Sequence, residues 1–233
     1  MNPSILSTRR LMLSQKELLL NAGFRLVEYD AISIEFLGFK APKVIENAIF
    51  TSQNGVRAYF KAKTPQMILK NCFCVGEKTM ALLDKNGQKV IKMAKNGEEL
   101  ANFLVNHHKN ESFIYFCGSI RREKLPNVLK SQKMDLFEVK TYKTVLNPKY
   151  FDQKWDGILF FSPSGVESYI SGQKNGQIHG KTTSFDDETT ISFCIGETTA
   201  SEARKYMSQV VVSNSQTVES VIAKAAKTLK ESI

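Results

Sequence analysis

The chain repeats itself, and the repeat constrains its fold more tightly than any single motif. Ser52 and Gly55 in AIFTSQNGV match Ser162 and Gly165 in ILFFSPSGV, both pairs 110 residues apart, and Glu28 and Glu138 share that spacing. Further on, Gly76 and Thr79 in CVGEKT match Gly196 and Thr199 in CIGETT at a spacing of 120. The ten extra residues fall in the second copy between Ile170 and Ile191, a polar stretch (SGQKNGQIHGKTTSFDDETT) expected to form an exposed loop or hairpin. Each copy reads as a short strand, a Ser/Thr/Gly/Arg turn, an amphipathic helix, a strand of alternating character, and then strand-helix-strand-helix elements.

The strands AIF, ILFF, FIYF and FCI are apolar without alternation, as strands covered on both faces should be. A helix is predicted after Ser14, stopping at Gly23, and a closing helix over 218–233 with apolar residues at Val218, Val221, Ile222, Ala225, Ala226 and Leu229. The fold class is therefore α/β, with parallel sheets, flanking helices and right-handed crossovers.

At 233 residues the chain can bury a substantial core without disulfides or metals. Cys72, Cys74, Cys117 and Cys194 all lie within or at the end of apolar runs and are expected to be reduced strand residues, with Cys72 and Cys74 on opposite faces and no metal site. His107, His108 and His179 sit in polar surroundings and are expected at the surface. No apolar run approaches a membrane span or a signal peptide, so a cytoplasmic protein is expected, with no membrane partner. The net charge of +9 favours an anionic ligand, but the basic residues form only pairs, Arg9-Arg10 and Arg121-Arg122, with no stripe suited to nucleic acid.

Six strand-like runs are followed at once by small polar residues, including Thr8-Arg9, Thr51-Ser52, Gly76 to Thr79, Gly118-Ser119, Ser162 to Gly165 and Gly196 to Thr199. Ser and Thr in such places are first of all helix N-caps. Together, at the carboxyl ends of parallel strands, they also make an edge suited to carboxylates or phosphates. Gly-x-Gly-x-x-Gly and Walker-type loops are missing from the sequence, which argues against dinucleotides and nucleoside triphosphates.

These motifs, in this order, resemble uroporphyrinogen-III synthase: the Thr8-Arg9 turn, AIFTSQNGV, VGEKT, CGSIRREKLP, VKTYKT, LFFSPSGVESY and IGETTA. The resemblance implies two flavodoxin-like domains joined by a two-stranded linker, with the active site in the cleft between them. One domain would take residues 1–34 plus 146–233 and the other 36–141, with linker strands about 27–36 and 137–146. It implies cyclisation of linear hydroxymethylbilane to uroporphyrinogen III by a monomer, with inversion of ring D, loss of water, and no metal or organic cofactor. Tyr142 matches the family's tyrosine proposed as general acid, a role open to a phenol because its ordinary pKa of about 10 keeps it protonated at pH 7.

By the same resemblance Thr8, Arg9, Ser52, Thr79, Gly118, Ser119, Arg122, Ser162, Ser164, Thr198 and Thr199 would bind the substrate's carboxylates. Gln53-Asn54 departs from the family, where many relatives carry Pro and a basic residue; Arg57, one turn on, is a substitute cation. Two other readings use the same residues. A non-catalytic two-domain binder of small polycarboxylates needs the hydroxyl-rich edges without the tyrosine, and a nucleic-acid module rests on charge alone.

Overall fold

The neighbouring central strands of both sheets run parallel, and their order explains the repeat. The computed structural model describes residues 2–62, 64, 67–178 and 189–231. Among these, the chain forms two compact units. One takes the chain up to Ser33 and from Val145 onward, and the other is Ile34–Thr144.

The first unit contains β1 (Ser4–Ser7), α1 (Leu13–Leu20), β2 (Arg25–Glu28), and, later in the chain, β9 (Gly157–Phe160), α6 (Pro163–Ile178), β10 (Ile191–Cys194), α7 (Glu197–Ala203), β11 (Gln209–Val212) and α8 (Val218–Glu231). Its sheet has the order β11-β10-β9-β1-β2. In chain order this is 2-1-3-4-5, the flavodoxin-like arrangement, whose switch point lies between β1 and β9. The β3 strand (Ile32–Phe36) begins at the boundary between the units and is hydrogen-bonded into the second sheet.

The second unit contains β4 (Val44–Phe50), α2 (Gln53–Ala62), β5 (Ile68–Val75), α3 (Glu77–Lys85), β6 (Val90–Ala94), α4 (Gly97–His107), β7 (Phe113–Gly118), α5 (Lys124–Ser131) and β8 (Leu136–Leu146). Its sheet order, β3-β8-β7-β4-β5-β6, is that of the first unit with β7 in the place of β1, β8 of β2 and β4 of β9. The second unit is thus a circular permutation of the first with one added edge strand.

Both central sheets are buried on both faces. In the first unit Leu6, Ile158, Phe160 and Cys194 pack with residues of α6 and α7, while Ile5, Leu159 and Phe193 pack with Leu19 of α1 and with α8. In the second, Phe50, Cys72, Cys74 and Phe116 pack with α2 and α3, while Ile49, Phe73, Tyr115 and Cys117 pack with α4 and α5. Strands buried along their whole length have no solvent face to mark with alternating polar residues, which is why β1, β9 and β10 read as unbroken apolar or small stretches. Gly55 allows α2 to approach β7: a Cβ there would stand 2.8 Å from the carbonyl oxygen of Phe116.

Several sequence expectations need correction. Cys72 and Cys74 share one face and one core cluster, because alternate residues of a strand point the same way. His108 is half-buried against Phe73, Phe103 and Phe113, with its Nδ1 2.7 Å from Glu111; His179 lies outside the described residues. The polar insertion begins as helix, since α6 continues through Ile178, and the rest of it, 179–188, lies outside the described residues. The stretch VEYDAISIEF is broken between Glu28 and Ile32 instead of forming one strand. The half-exposed edge strand β6 carries no long apolar run, and β11, despite its run Val210 to Val212, is not among the strands read from the sequence.

The helix ends follow the expected chemistry. Gly23 sits at φ +87 just beyond α1, where Phe24 N–H donates to Leu19 and Gly23 N–H to Leu20, a Schellman closure. In α8 the buried residues are Val221, Ile222, Ala225 and Leu229, and the Thr217 hydroxyl caps the first turn by accepting from Ser220 N–H.

Candidate functional site

In parallel sheets the carboxyl ends of all strands lie along one edge. The first unit therefore brings Thr8-Arg9 after β1, Ser162 and Ser164 after β9, and Thr198-Thr199 after β10 to one edge, on three neighbouring strands. The second unit does the same with Ser52 after β4, Thr79 after β5, Gly118, Ser119 and Arg122 around the end of β7, and Tyr142 on β8. Every sequence-predicted site residue falls on one of these two edges.

The side chains divide by exposure. Thr8, Thr79 and Thr199 are 4%, 5% and 3% exposed and lie beneath the edge. The Thr8 hydroxyl donates to the carbonyl of Leu159 at 2.7 Å, and its N–H donates to the same oxygen at 3.1 Å, tying β1 to β9 across the switch point. Ser52 and Ser162 are N-caps: Ser52 Oγ accepts from Asn54 N–H and Ser162 Oγ from Gly165 N–H, each at 3.1 Å. The Pro163 ring occupies the first position of α6, where a missing N–H costs nothing. Arg9, Ser119, Arg122 and Thr198 are exposed. The Arg9 guanidinium lies 5.6 Å from the centre of the Phe161 ring.

Around the second switch point, between β7 and β4, the groups are more closely linked. Tyr115, almost fully buried, shares a 2.8 Å hydrogen bond with Thr51 Oγ1, linking the middle of β7 to the residue that follows β4. Burial pushes the Tyr115 phenol up to about 12, so it remains a proton donor. Next to it, β7 and β8 shift register between Cys117 and Gly118, which sets Gly118 opposite Tyr142. A Cβ on Gly118 would stand 2.9 Å from both Cε2 and Cζ of the Tyr142 ring. The carbonyl of Tyr142 accepts from Ser119 N–H at 2.8 Å and from Ser119 Oγ at 3.4 Å, and Thr141 Oγ1 donates to the Cys117 carbonyl at 3.3 Å. Half-buried Tyr142 is thus held by the turn that follows β7.

Arg57 bears on the Gln53-Asn54 departure. Its Nη2 donates to Gln53 Oε1 at 2.9 Å and its Nη1 to Asn54 Oδ1 at 3.3 Å, so the guanidinium lies over the first turn of α2. The two amides, acceptors here, hold the Arg57 cation.

Arg121 and Glu138, which sequence reasoning left out of the site, pair tightly beside Tyr115. Arg121 Nε and Nη2 both reach Oε2 of Glu138, and Lys130 Nζ lies 2.7 Å from the other oxygen. The guanidinium beside it holds the Glu138 carboxyl below the usual carboxylate range. The 110-residue match of Glu28 and Glu138 was the available signal. Among the described residues no group of three or more His, Cys, Asp or Glu side chains is arranged to hold a metal ion, and no helix is long and apolar enough to cross a membrane.

A crystal structure of uroporphyrinogen-III synthetase from Helicobacter pylori is 16% identical, and the match covers 98% of this chain and 100% of that one with a TM-score of 0.69. A mutant uroporphyrinogen III synthase from the extremely thermophilic bacterium Thermus thermophilus is 15% identical over 98% of this chain and 99% of that one, with a TM-score of 0.66. At such identities the likeness carries the fold: two parallel-dominated sheets flanked by helices. The sequence carries the family, because the family model described as uroporphyrinogen-III synthase HemD matches residues 14–223. With that match covering most of both units, the chain belongs to the uroporphyrinogen-III synthase family, cyclising lyases of haem biosynthesis.

Proposed function

We propose that this chain converts hydroxymethylbilane to uroporphyrinogen III, closing the ring with inversion of ring D and release of water. The observation that carries this reading is the family match over residues 14–223. Loss of the terminal hydroxyl leaves an electrophilic azafulvene, and attack from the far ring through a spiro intermediate gives the inverted isomer. Because the substrate also closes unaided to the uninverted isomer, the protein's main task is orientation.

Tyr142 is the proton donor to the departing hydroxyl in this account. Support comes from its place at the edge of the second unit, with its ring against Gly118 and its main chain bonded to Ser119. Arg9, Arg57, Arg122, Ser119, Ser164 and Thr198 hold the substrate's carboxylates. Thr8 contributes by fixing its turn from beneath, Thr79 and Thr199 as buried residues in the first turns of α3 and α7, and Ser52 and Ser162 by ordering the N–H groups of α2 and α6. The enzyme works as a cytoplasmic monomer, without metal or organic cofactor.

Tyr142→Phe tests the acid role. The variant should fold normally and lose about 100-fold or more in protein-dependent turnover, the scale of general-acid catalysis. Full turnover in a folded Tyr142→Phe protein would exclude it.

A further inference from the structure

We propose that Arg121 is a positioning residue, clamped by Glu138 so that the turn after β7 presents its neighbour Arg122 to a substrate carboxylate. This rests on the proposed function for the identity of the substrate. The two adjacent arginines differ sharply in the fold. Arg121 has a side chain only 16% exposed, and all three of its guanidinium nitrogens are engaged. Nε and Nη2 bind Glu138, and Nη1 lies 2.6 Å from Oε1 of Glu123. Glu138 is equally occupied, giving one oxygen to Arg121 and the other to Lys130 of α5. Arg121 therefore has no free edge with which to grip a ligand, and a planar fork spent on a carboxylate is a geometric fixture. Arg122 is exposed and makes no ion pair or hydrogen bond among the described residues.

The other copy carries the same device. Glu28 stands 110 residues before Glu138, and Leu11 stands 110 before Arg121. Glu28 Oε1 accepts from Leu11 N–H at 2.6 Å, and Oε2 lies 2.6 Å from Lys16 Nζ of α1. In each unit, then, a largely buried glutamate on the second strand of the fold holds both the turn after the first strand and the helix beyond it. In the first unit the hold is on the main chain. In the second it is on a guanidinium, which adds to the main-chain bond from Ser119 N–H to the Tyr142 carbonyl at the start of the same turn.

The test is a double-mutant cycle on Glu138→Gln and Arg122→Gln, read by KM for hydroxymethylbilane and, independently of turnover, by the Kd of the octacarboxylate uroporphyrin III from calorimetry. Each single variant should weaken both constants about tenfold, as expected for one charge-assisted contact, and the double variant should be no weaker than Arg122→Gln alone. Arg121→Lys keeps the charge without the fork; it should weaken binding while Arg122 is present and have no effect in the Arg122→Gln protein. Additive effects, or unchanged constants in folded Glu138→Gln and Arg121→Lys proteins, would overturn the proposal. A coupled cycle in Kd without type III product would uphold the clamp while removing the synthase reading.

Discussion

The ring of Tyr142 rests against Gly118, on which a Cβ would come within 2.9 Å of Cε2 and Cζ. The side chain there is a single hydrogen because the neighbouring strand carries a ring at the same level, after the register shift at Cys117 and Gly118.

Gly118→Ala should consequently move the tyrosine. The severest clash is with the far end of the Tyr142 side chain, which can yield without unfolding the sheet, while the Ile120 carbonyl oxygen at 3.1 Å must give by a few tenths of an ångström. We expect kcat to fall by about tenfold or more, because small misplacements of a reacting group cost rate steeply, with a melting temperature lowered by only a few degrees. In a Tyr142→Phe background the same substitution should cost little further rate. Equal losses in both backgrounds, measured by initial rates, would detach Gly118 from the tyrosine.

Thr8 should behave as structure. Its hydroxyl is committed to the Leu159 carbonyl, which retains the Thr8 N–H when the hydroxyl is removed. Thr8→Val should cost about 1 kcal/mol in chemical denaturation and leave KM within about twofold. A large rise in KM at unchanged stability would put the Thr8 side chain in contact with substrate.

Arg57 should act in binding. Arg57→Gln removes the exposed cation that Gln53 and Asn54 hold, and is expected to raise KM severalfold at unchanged kcat, the pattern of uniform binding. The loss should shrink as salt rises, because the contact is solvent-exposed.

The Glu138 pair gives stability a pH dependence of known sign. Its folded carboxyl titrates below the unfolded one, chiefly through the hydrogen bond from Arg121, so its contribution is complete above the ordinary glutamate pKa of about 4.3 and is lost as pH falls through the lowered folded value. Urea unfolding should therefore show native protein more stable than Glu138→Gln at pH 7, with the gap closing on acidification below about pH 4. A gap independent of pH would mean that the carboxylate's charge does not matter.

The repeat spacings made the two-unit architecture legible, because residues such as Ser52 and Ser162 cap equivalent helices and must keep their distance from equivalent strands. The edge residues were legible for the same reason. What could not be read was direction. That Arg121 folds back depends on Glu138, 17 residues away, which only the fold brings beside it, and the Thr8 hydroxyl turns inward to a carbonyl 151 residues away. Glu28 and Glu138 were visible as a match, yet their role appears only when the strand beside the turn is known. The parity of Cys72 and Cys74 was a matter of strand geometry, and the fold corrects it.

Synthase activity is measured by supplying fresh hydroxymethylbilane to the folded protein, oxidising the products and separating the type I and type III uroporphyrin isomers. Type III should form in proportion to protein, with Tyr142→Phe reduced about 100-fold. Type I alone, formed at the rate seen without protein, would contradict the proposed function.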